Sequence, residues 1–322
     1  MNQAIKAVTL AAGKSKRMKS CHSKMVHQIL GKEVINILLD AFVESGISEE
    51  DLIIITGKDN QAIKKVINKK VSFVIQEEQL GTAHALLSAK NQLMNFQGNL
   101  IVTVGDNPHI SGSDIKKLID HHQAEKSHCT LLTAVFPKEP PPYGRVIRDK
   151  DHRVVGVVEE IDASPDQLQI KEVNASVYIF NCKSVFPLLS EINNHNQKME
   201  YYLTDIVGIL VEKKLKISSV IAENYWTSIG INNRWDLQQA QKRLNERNQK
   251  RMALERGVTI LQPETVTIEF GVEIGRDTII YPSTYIASGT SIGKNCRIGP
   301  FVYLKNVTIQ DSSNISFKKQ LE

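Results

Sequence analysis

The stretch VEIGRDTIIYPSTYIASGTSIGKNCRIGPFVYL, residues 272–304, places apolar side chains at Ile274, Ile280, Ile286, Ile292, Ile298 and Leu304, a strict period of six. A hexapeptide period builds a parallel β-helix, in which each repeat supplies one short face and three repeats complete a coil. Small residues follow most of the apolar ones (Gly275, Ala287, Gly293, Gly299), as corners require where backbone packs on backbone. The repeats suffice for about three coils.

Immediately before them, residues 232–256 read as one polar helix, with Gly257 as its stop and the role of a domain connector. Earlier still, short β-branched runs alternate with amphipathic stretches: IKAVTLAA (5–12), VINILLDAFVESG (34–46), DLIIITG (51–57), a lysine-rich helix near 60–69, and VSFVIQ (71–76). That alternation is the mark of βαβ units on a mostly parallel sheet. Further strands are expected in NLIVTVGD, CTLLTAVF, RVVGVVEE and SVYIFN, with helices in TAHALLSAKNQLM and SDIKKLIDHHQAEK. The expected fold class is therefore α/β, a doubly wound, mostly parallel sheet followed by a short parallel β-helix. The boundaries are expected at 1–231 for the α/β domain, 232–256 for the connector helix and 257–322 for the β-helix.

Composition agrees with two folded domains. The 322 residues carry a net charge of +5 spread over helices and loops alike, which argues against nucleic acid as a partner and suits a small anionic substrate. Cys21, Cys129, Cys182 and Cys296 lie far apart without C-x-x-C spacing, so free thiols in a reducing compartment are expected. The segment MNQAIKAVTLAAGKS lacks a long apolar core and a cleavage pattern, and no later run approaches membrane-spanning length. A cytoplasmic location without membrane insertion is the expectation.

In open α/β sheets the binding crevice lies at the carboxyl ends of strands, which directs attention to LAAGKSKRMKSCHSK, residues 10–24. Here a strand runs into Gly13, and Lys14, Lys16, Arg17, Lys19 and Lys24 follow. Outward-pointing backbone N–H groups flanked by such cations form an anion-binding concavity, although a solvated loop has the same composition. The spacing matches neither the P-loop nor the dinucleotide fingerprint.

This loop resembles the L-A-A-G-x-G-T-R-M-x-S-x-x-P-K signature of sugar-1-phosphate nucleotidyltransferases. The rest of the chain is similar to the bacterial N-acetylglucosamine-1-phosphate uridylyltransferases of that family, through QEEQLGTAHA (76–85), VGDNP (104–108), YGRVIRD (143–149), VEEIDA (158–163), KEVNASVYIF (171–180), EYYLTDIV (200–207) and GINNR (230–234). The resemblance implies a nucleotide-diphospho-sugar transferase fold with a left-handed β-helix, and transfer of UMP from UTP to N-acetylglucosamine-1-phosphate, yielding a cell-wall precursor and pyrophosphate. It implies that Arg17 and Lys24 are catalytic and contact phosphates. Leu10, Ala11, Ala12, Gly13, Gln76, Gln79, Gly81 and Thr82 would bind the nucleotide, and Gly144, Glu159 and Asn174 the sugar. Asp106 and Asn232 would hold Mg²⁺, for which a carboxylate and an amide alongside phosphates and water are an adequate donor set. UTP and a sugar-1-phosphate are the implied partners, with a homotrimer formed through the β-helix. Residue by residue, QEEQLGT is also readable as a polar turn with Thr82 as a helix N-cap.

Several positions depart from the family pattern. Ser15 stands at the second loop glycine, Lys16 at the threonine and Ser23 at the proline; Val104, Asn107 and Ile229 replace residues of other character. Serine at a glycine position implies ordinary backbone torsions there, and Ile229 implies the loss of a carboxylate near the sugar. Bifunctional family members acetylate with a longer β-helix; no histidine follows His195 here, so no acetyltransferase site is expected. Two further readings stay open: a nucleotidyltransferase for another sugar or nucleotide, and a non-catalytic nucleotide-sugar-binding or assembly protein.

Overall fold

Ile5–Ala11 is a strand because a β-branched and apolar run can be buried on both faces, as a central parallel strand must be. In the computed structural model, which describes residues 4–59 and 61–317, the chain divides into two compact units. One comprises Met1–Val26 and Val34–Asn232, the other His27–Glu33 and Asn233–Glu322.

The first unit is built on a nine-stranded sheet. Its main path runs Ile217–Ile221, Cys129–Val135, Glu172–Asn181, Asn99–Val104, Ile5–Ala11, Leu52–Thr56, Ser72–Ile75. Ile5–Ala11 pairs in parallel with Leu52–Thr56 on one side and Asn99–Val104 on the other, so the strand order reverses beside it. That reversal is where an open α/β sheet leaves a crevice. Glu172–Asn181 runs antiparallel to both neighbours, and Arg145–Arg148 extends from it to pair with Val154–Val158.

Alternate residues feed the two faces. Val8, Leu10, Ile53, Ile55, Leu100 and Val102 enter one core, while Ala7, Ala11, Leu52, Ile54 and Ile101 enter the other. The stretch expected as one helix in TAHALLSAKNQLM is two, Thr82–Leu87 and Lys90–Leu93. The lysine-rich helix is Gln61–Val66, and residue 60 lies outside the described residues. Arg145–Arg148 and Ile217–Ile221 are strands that the sequence pattern did not announce. Among the described residues, no helix is long and apolar enough to cross a membrane, and all four cysteines are free thiols.

The second unit contains the left-handed β-helix. Its two-residue strands stack in three parallel sheets; Ile260, Ile280, Ile298 and Ile315 lie one above another, as do Ile268, Ile286 and Leu304, and Ile274, Ile292 and Ile309. Their side chains fill the interior. Gly275 is required by the corner, since a Cβ there would lie 2.6 Å from the carbonyl carbon of Gly293.

Helix Arg234–Arg256 starts on a reciprocal capping box between Asn233 and Asp236 and ends at Gly257, whose φ of 66° suits glycine. It is more than the connector expected from its polarity. Asn245 and Gln249 donate to the carbonyl of Val266 at 2.7 Å each, Asn248 donates to that of Ile268 at 3.0 Å, and Asn245 Oδ1 accepts the Ile268 N–H. These amides satisfy backbone groups of the first coil. The hairpin Gln28–Ile29 with Lys32–Glu33 also groups with this unit, inside the range read as the first domain; the Phe270 N–H donates to the Leu30 carbonyl.

Candidate active site

Two buried methionines pin the basic loop that follows Ile5–Ala11. Met18 sits in the short turn Lys16–Met18 and Met25 in Lys24–Val26, both almost fully enclosed, while Lys16, Arg17 and Lys19 remain exposed. Ser15 is left-handed, with φ 51° and ψ 28°, so the expectation of ordinary torsions at this serine is corrected. Its hydroxyl supplies the compensation: Oγ accepts the Lys24 N–H at 3.0 Å.

Lys24 then reaches the end of Asn99–Val104, where its Nζ donates to Asp106 Oδ2 in a half-buried ion pair. Arg17 Nη2 donates to Asn232 Oδ1 at 2.8 Å. The two expected catalytic cations thus meet the two expected metal-binding oxygens, pair by pair. The Ile231 N–H bonds the Asp106 carbonyl, which fixes the approach of the chain to Asn232. A Cβ at Gly230 would lie 3.1 Å from Asp106 Oδ1, so glycine keeps room around the carboxylate oxygen that Lys24 does not engage.

Asp106 and Asn232 line one cleft together with Gly144, Glu159 and Asn174. Thr204 donates to Glu159 Oε1 at 3.1 Å, and Asn174 donates to the Tyr178 hydroxyl at 2.6 Å. Burial pushes the Glu159 carboxyl up, opposed by the Thr204 hydrogen bond. Burial, then the charges of Glu159 and Asp162, push Asp205 up to about 6. Sequence reading missed Arg145, a buried guanidinium that donates to the carbonyls of Pro141 and Tyr143 and so holds the loop containing Gly144. Its signal was its place within YGRVIRD.

A second cleft is lined by Ala11, Ala12, Gly13, Lys14, Gln76 and Gln79 among others. Gln79 Nε2 donates to the Ala12 carbonyl at 2.6 Å, joining the two loops. Gln76 is buried and donates to the Gly81 carbonyl. Leu10 lies in the core and its carbonyl accepts the Gly105 N–H. Gly81 and Thr82 do not line this cleft. Gly81, not Thr82, is the N-cap of Thr82–Leu87, and Thr82 Oγ1 accepts the Leu203 N–H at 2.9 Å. Ile229, like Tyr143 and Tyr225, packs against the buried apolar cluster Ala134, Phe136 and Val173, while its neighbours Ser228 and Gly230 line the cleft that holds Asp106 and Glu159. Asn107 is structural: it donates to the Thr227 carbonyl and accepts the His109 N–H.

A divalent cation fits these residues. One carboxylate and one carboxamide line a common cleft, with space preserved by Gly230, and hard oxygen donors few in number suit an ion that keeps water and substrate oxygens. Among the described residues no group of three or more His, Cys, Asp or Glu could hold a metal.

A doubly wound sheet with a basic loop at its switch point, Asp106 just past the adjacent strand and Asn232 in the same cleft defines a nucleotidyltransferase, and the Nucleotidyl transferase family model matches residues 6–246. The bacterial transferase hexapeptide model matches residues 271–315. The "Bifunctional protein GlmU" of Caldanaerobacter subterraneus subsp. tengcongensis is 37% identical over 312 residues, covering 97% of this chain and 67% of that protein. That of Clostridium kluyveri is 38% identical over 313 residues, covering 95% and 68%. The chain belongs to the GlmU family of nucleotidyltransferases. A crystal structure described as a putative glucose-1-phosphate thymidylyltransferase from Bacillus anthracis shares the fold, with a TM-score of 0.61 over 74% of this chain and 94% of that one at 19% identity. Family members use a divalent metal, and the hexapeptide repeats point to oligomerisation.

Proposed function

We propose that the protein transfers UMP from UTP to N-acetylglucosamine-1-phosphate, releasing pyrophosphate and giving UDP-N-acetylglucosamine, with Mg²⁺ as the metal. The observation that carries this reading is the cluster Arg17, Lys24, Asp106 and Asn232 at the strand-order reversal. A nucleotide-sized cleft bearing Gln76 and Gln79 and a smaller one bearing Glu159 and Asn174 supply the two substrate sites.

The amides of Gln76 and Gln79 read the uracil edge, and backbone groups of Ala11 to Gly13 pass close to the nucleotide. Arg17 and Lys24 neutralise the phosphate oxygens, on which charge accumulates as an oxygen of the sugar phosphate attacks the α-phosphorus in line. The attacking phosphate is already ionised, so the residues need supply no general base; catalysis is positioning and charge neutralisation. Asp106 and Asn232 hold the Mg²⁺, which supplies Lewis-acid neutralisation of the phosphates when bound. Glu159 and Asn174 accept and donate to sugar hydroxyls, and Gly144 lets the ring come close to backbone. Phe301 and Tyr303, about two-thirds exposed on the β-helix, support a homotrimer through that face.

The test is to supply purified protein with Mg²⁺, UTP and N-acetylglucosamine-1-phosphate and follow pyrophosphate, with glucose-1-phosphate and other nucleotides in parallel. Release confined to the UTP and N-acetylglucosamine-1-phosphate pair is expected. Release with another pair reassigns the specificity, and nucleotide binding without release from any pair overturns the reading in favour of a binding protein. Light scattering tests the trimer.

A further inference from the structure

The contacts of Lys24 and Arg17 have a direction that neutralisation of a substrate does not explain. Each cation already spends a hydrogen bond on an oxygen of the metal-binding pair: Lys24 on Asp106 Oδ2 and Arg17 on Asn232 Oδ1. The Lys24 pair is held, since the Ser15 hydroxyl fixes the Lys24 backbone and both side chains are mostly enclosed, at 13% and 15% exposure. A divalent cation brought to Asp106 meets the positive charge of Lys24 at contact distance in a mostly enclosed setting, where that repulsion is weakly screened. Among the described residues that line this cleft with Asp106, the other carboxylate is Glu159, which is occupied by Thr204.

We propose that Lys24 is a built-in counter-cation of Asp106 and Arg17 a cationic hydrogen-bond partner of the neutral Asn232 amide, and that they release those oxygens to a divalent ion only when phosphate oxygens draw both cations away. The inference rests on the functional reading above, and assigns it an order: Lys24 and Arg17 bar the metal-binding oxygens to a free ion and open them to an ion arriving with a polyphosphate. The same two side chains then move from the ligand oxygens to the phosphates, so the Asp106 carboxylate passes from the lysine to the metal ion without being left buried and unpaired.

Binding of Mn²⁺, followed by electron paramagnetic resonance without turnover, tests this. Wild type should bind free Mn²⁺ feebly, and Lys24→Met should bind it at least about tenfold more tightly, since removing the positive charge lifts the repulsion. Lys24→Gln, which keeps a hydrogen-bond donor for Asp106, should show the same gain if the charge is responsible, and guards against misfolding of the methionine variant. Asp106→Asn in the Lys24→Met background should abolish the gain. Unchanged or weaker Mn²⁺ binding in both Lys24 variants, or a gain that survives Asp106→Asn, overturns the proposal. Wild-type turnover is measured separately: a protein that releases no pyrophosphate yet shows the Lys24-dependent Mn²⁺ gain refutes the functional reading and leaves the counter-cation arrangement standing.

Discussion

The hydroxyl of Ser15 accepts the backbone N–H of Lys24, nine positions further along the chain, at 3.0 Å, closing the basic loop from the inside. Ser15 holds a left-handed conformation to do so, at a cost of about 1–2 kcal/mol for a residue with a Cβ. Ser15→Ala keeps the strain and loses the acceptor, so it should cost about 1 kcal/mol of stability. Ser15→Gly loses the acceptor but relieves the strain and should be near neutral. Both should lower kcat/KM for UTP, about tenfold, because Lys24 is no longer positioned. Urea unfolding and pyrophosphate release on the two variants separate the effects.

Asp106→Ala should leave the fold intact and reduce Mg²⁺-dependent pyrophosphate release by about a thousandfold or more, because the variant loses the only carboxylate assigned to the metal. A far-ultraviolet spectrum and single-turnover kinetics check it. Turnover within a few-fold of wild type would remove Asp106 from the metal site.

Asp205 is held up to about 6, first by burial and then by Glu159 and Asp162. Its folded pKa exceeds that of the unfolded chain, so the native state binds the extra proton and stability falls as pH rises from about 4 to about 6. Above that window the full cost of a buried carboxylate is present. Asp205→Asn should therefore stabilise the protein at pH 7 relative to wild type and by much less at pH 4. Urea midpoints at the two pH values give the difference.

Gly81 has φ 123°, and a Cβ there would lie 2.6 Å from the Tyr201 backbone nitrogen. The strand of contacts Tyr201 N–H to Leu80 carbonyl and Ala83 N–H to Tyr201 carbonyl leaves no room to shift. Gly81→Ala should lose about 2–3 kcal/mol of stability, seen as a lower thermal midpoint, whether or not UTP is present.

The β-helix was legible because its signal is a period: one apolar side chain per six residues serves every face alike, and Ile274 to Ile298 are all buried as that pattern requires. The strands of the α/β sheet were legible where both faces are covered, as in Leu52–Thr56. Ile217–Ile221 was not, because its residues are mostly half-buried at a sheet edge and read as ISSVI, without an apolar run. At the site, Asp106 and Asn232 emerged through motif resemblance, since a lone acid after a strand has no pattern of its own. The torsions of Ser15 were misjudged because the compensating partner, the Lys24 amide, is supplied by the fold. The packing of Ile229 against Ala134, Phe136 and Val173 was likewise invisible in sequence, since its partners come from distant parts of the chain.

A stack of near-identical coils has no intrinsic beginning, since any rung can pair equally well with the next. The amides of Asn245, Asn248 and Gln249 break that equivalence by recognising the backbone of Pro263, Val266 and Ile268 in the first coil. They act as a start codon for assembly, numbering the rungs from one end. Duplicating a central coil, such as residues 280–297, would thus lengthen the column without changing where the count begins.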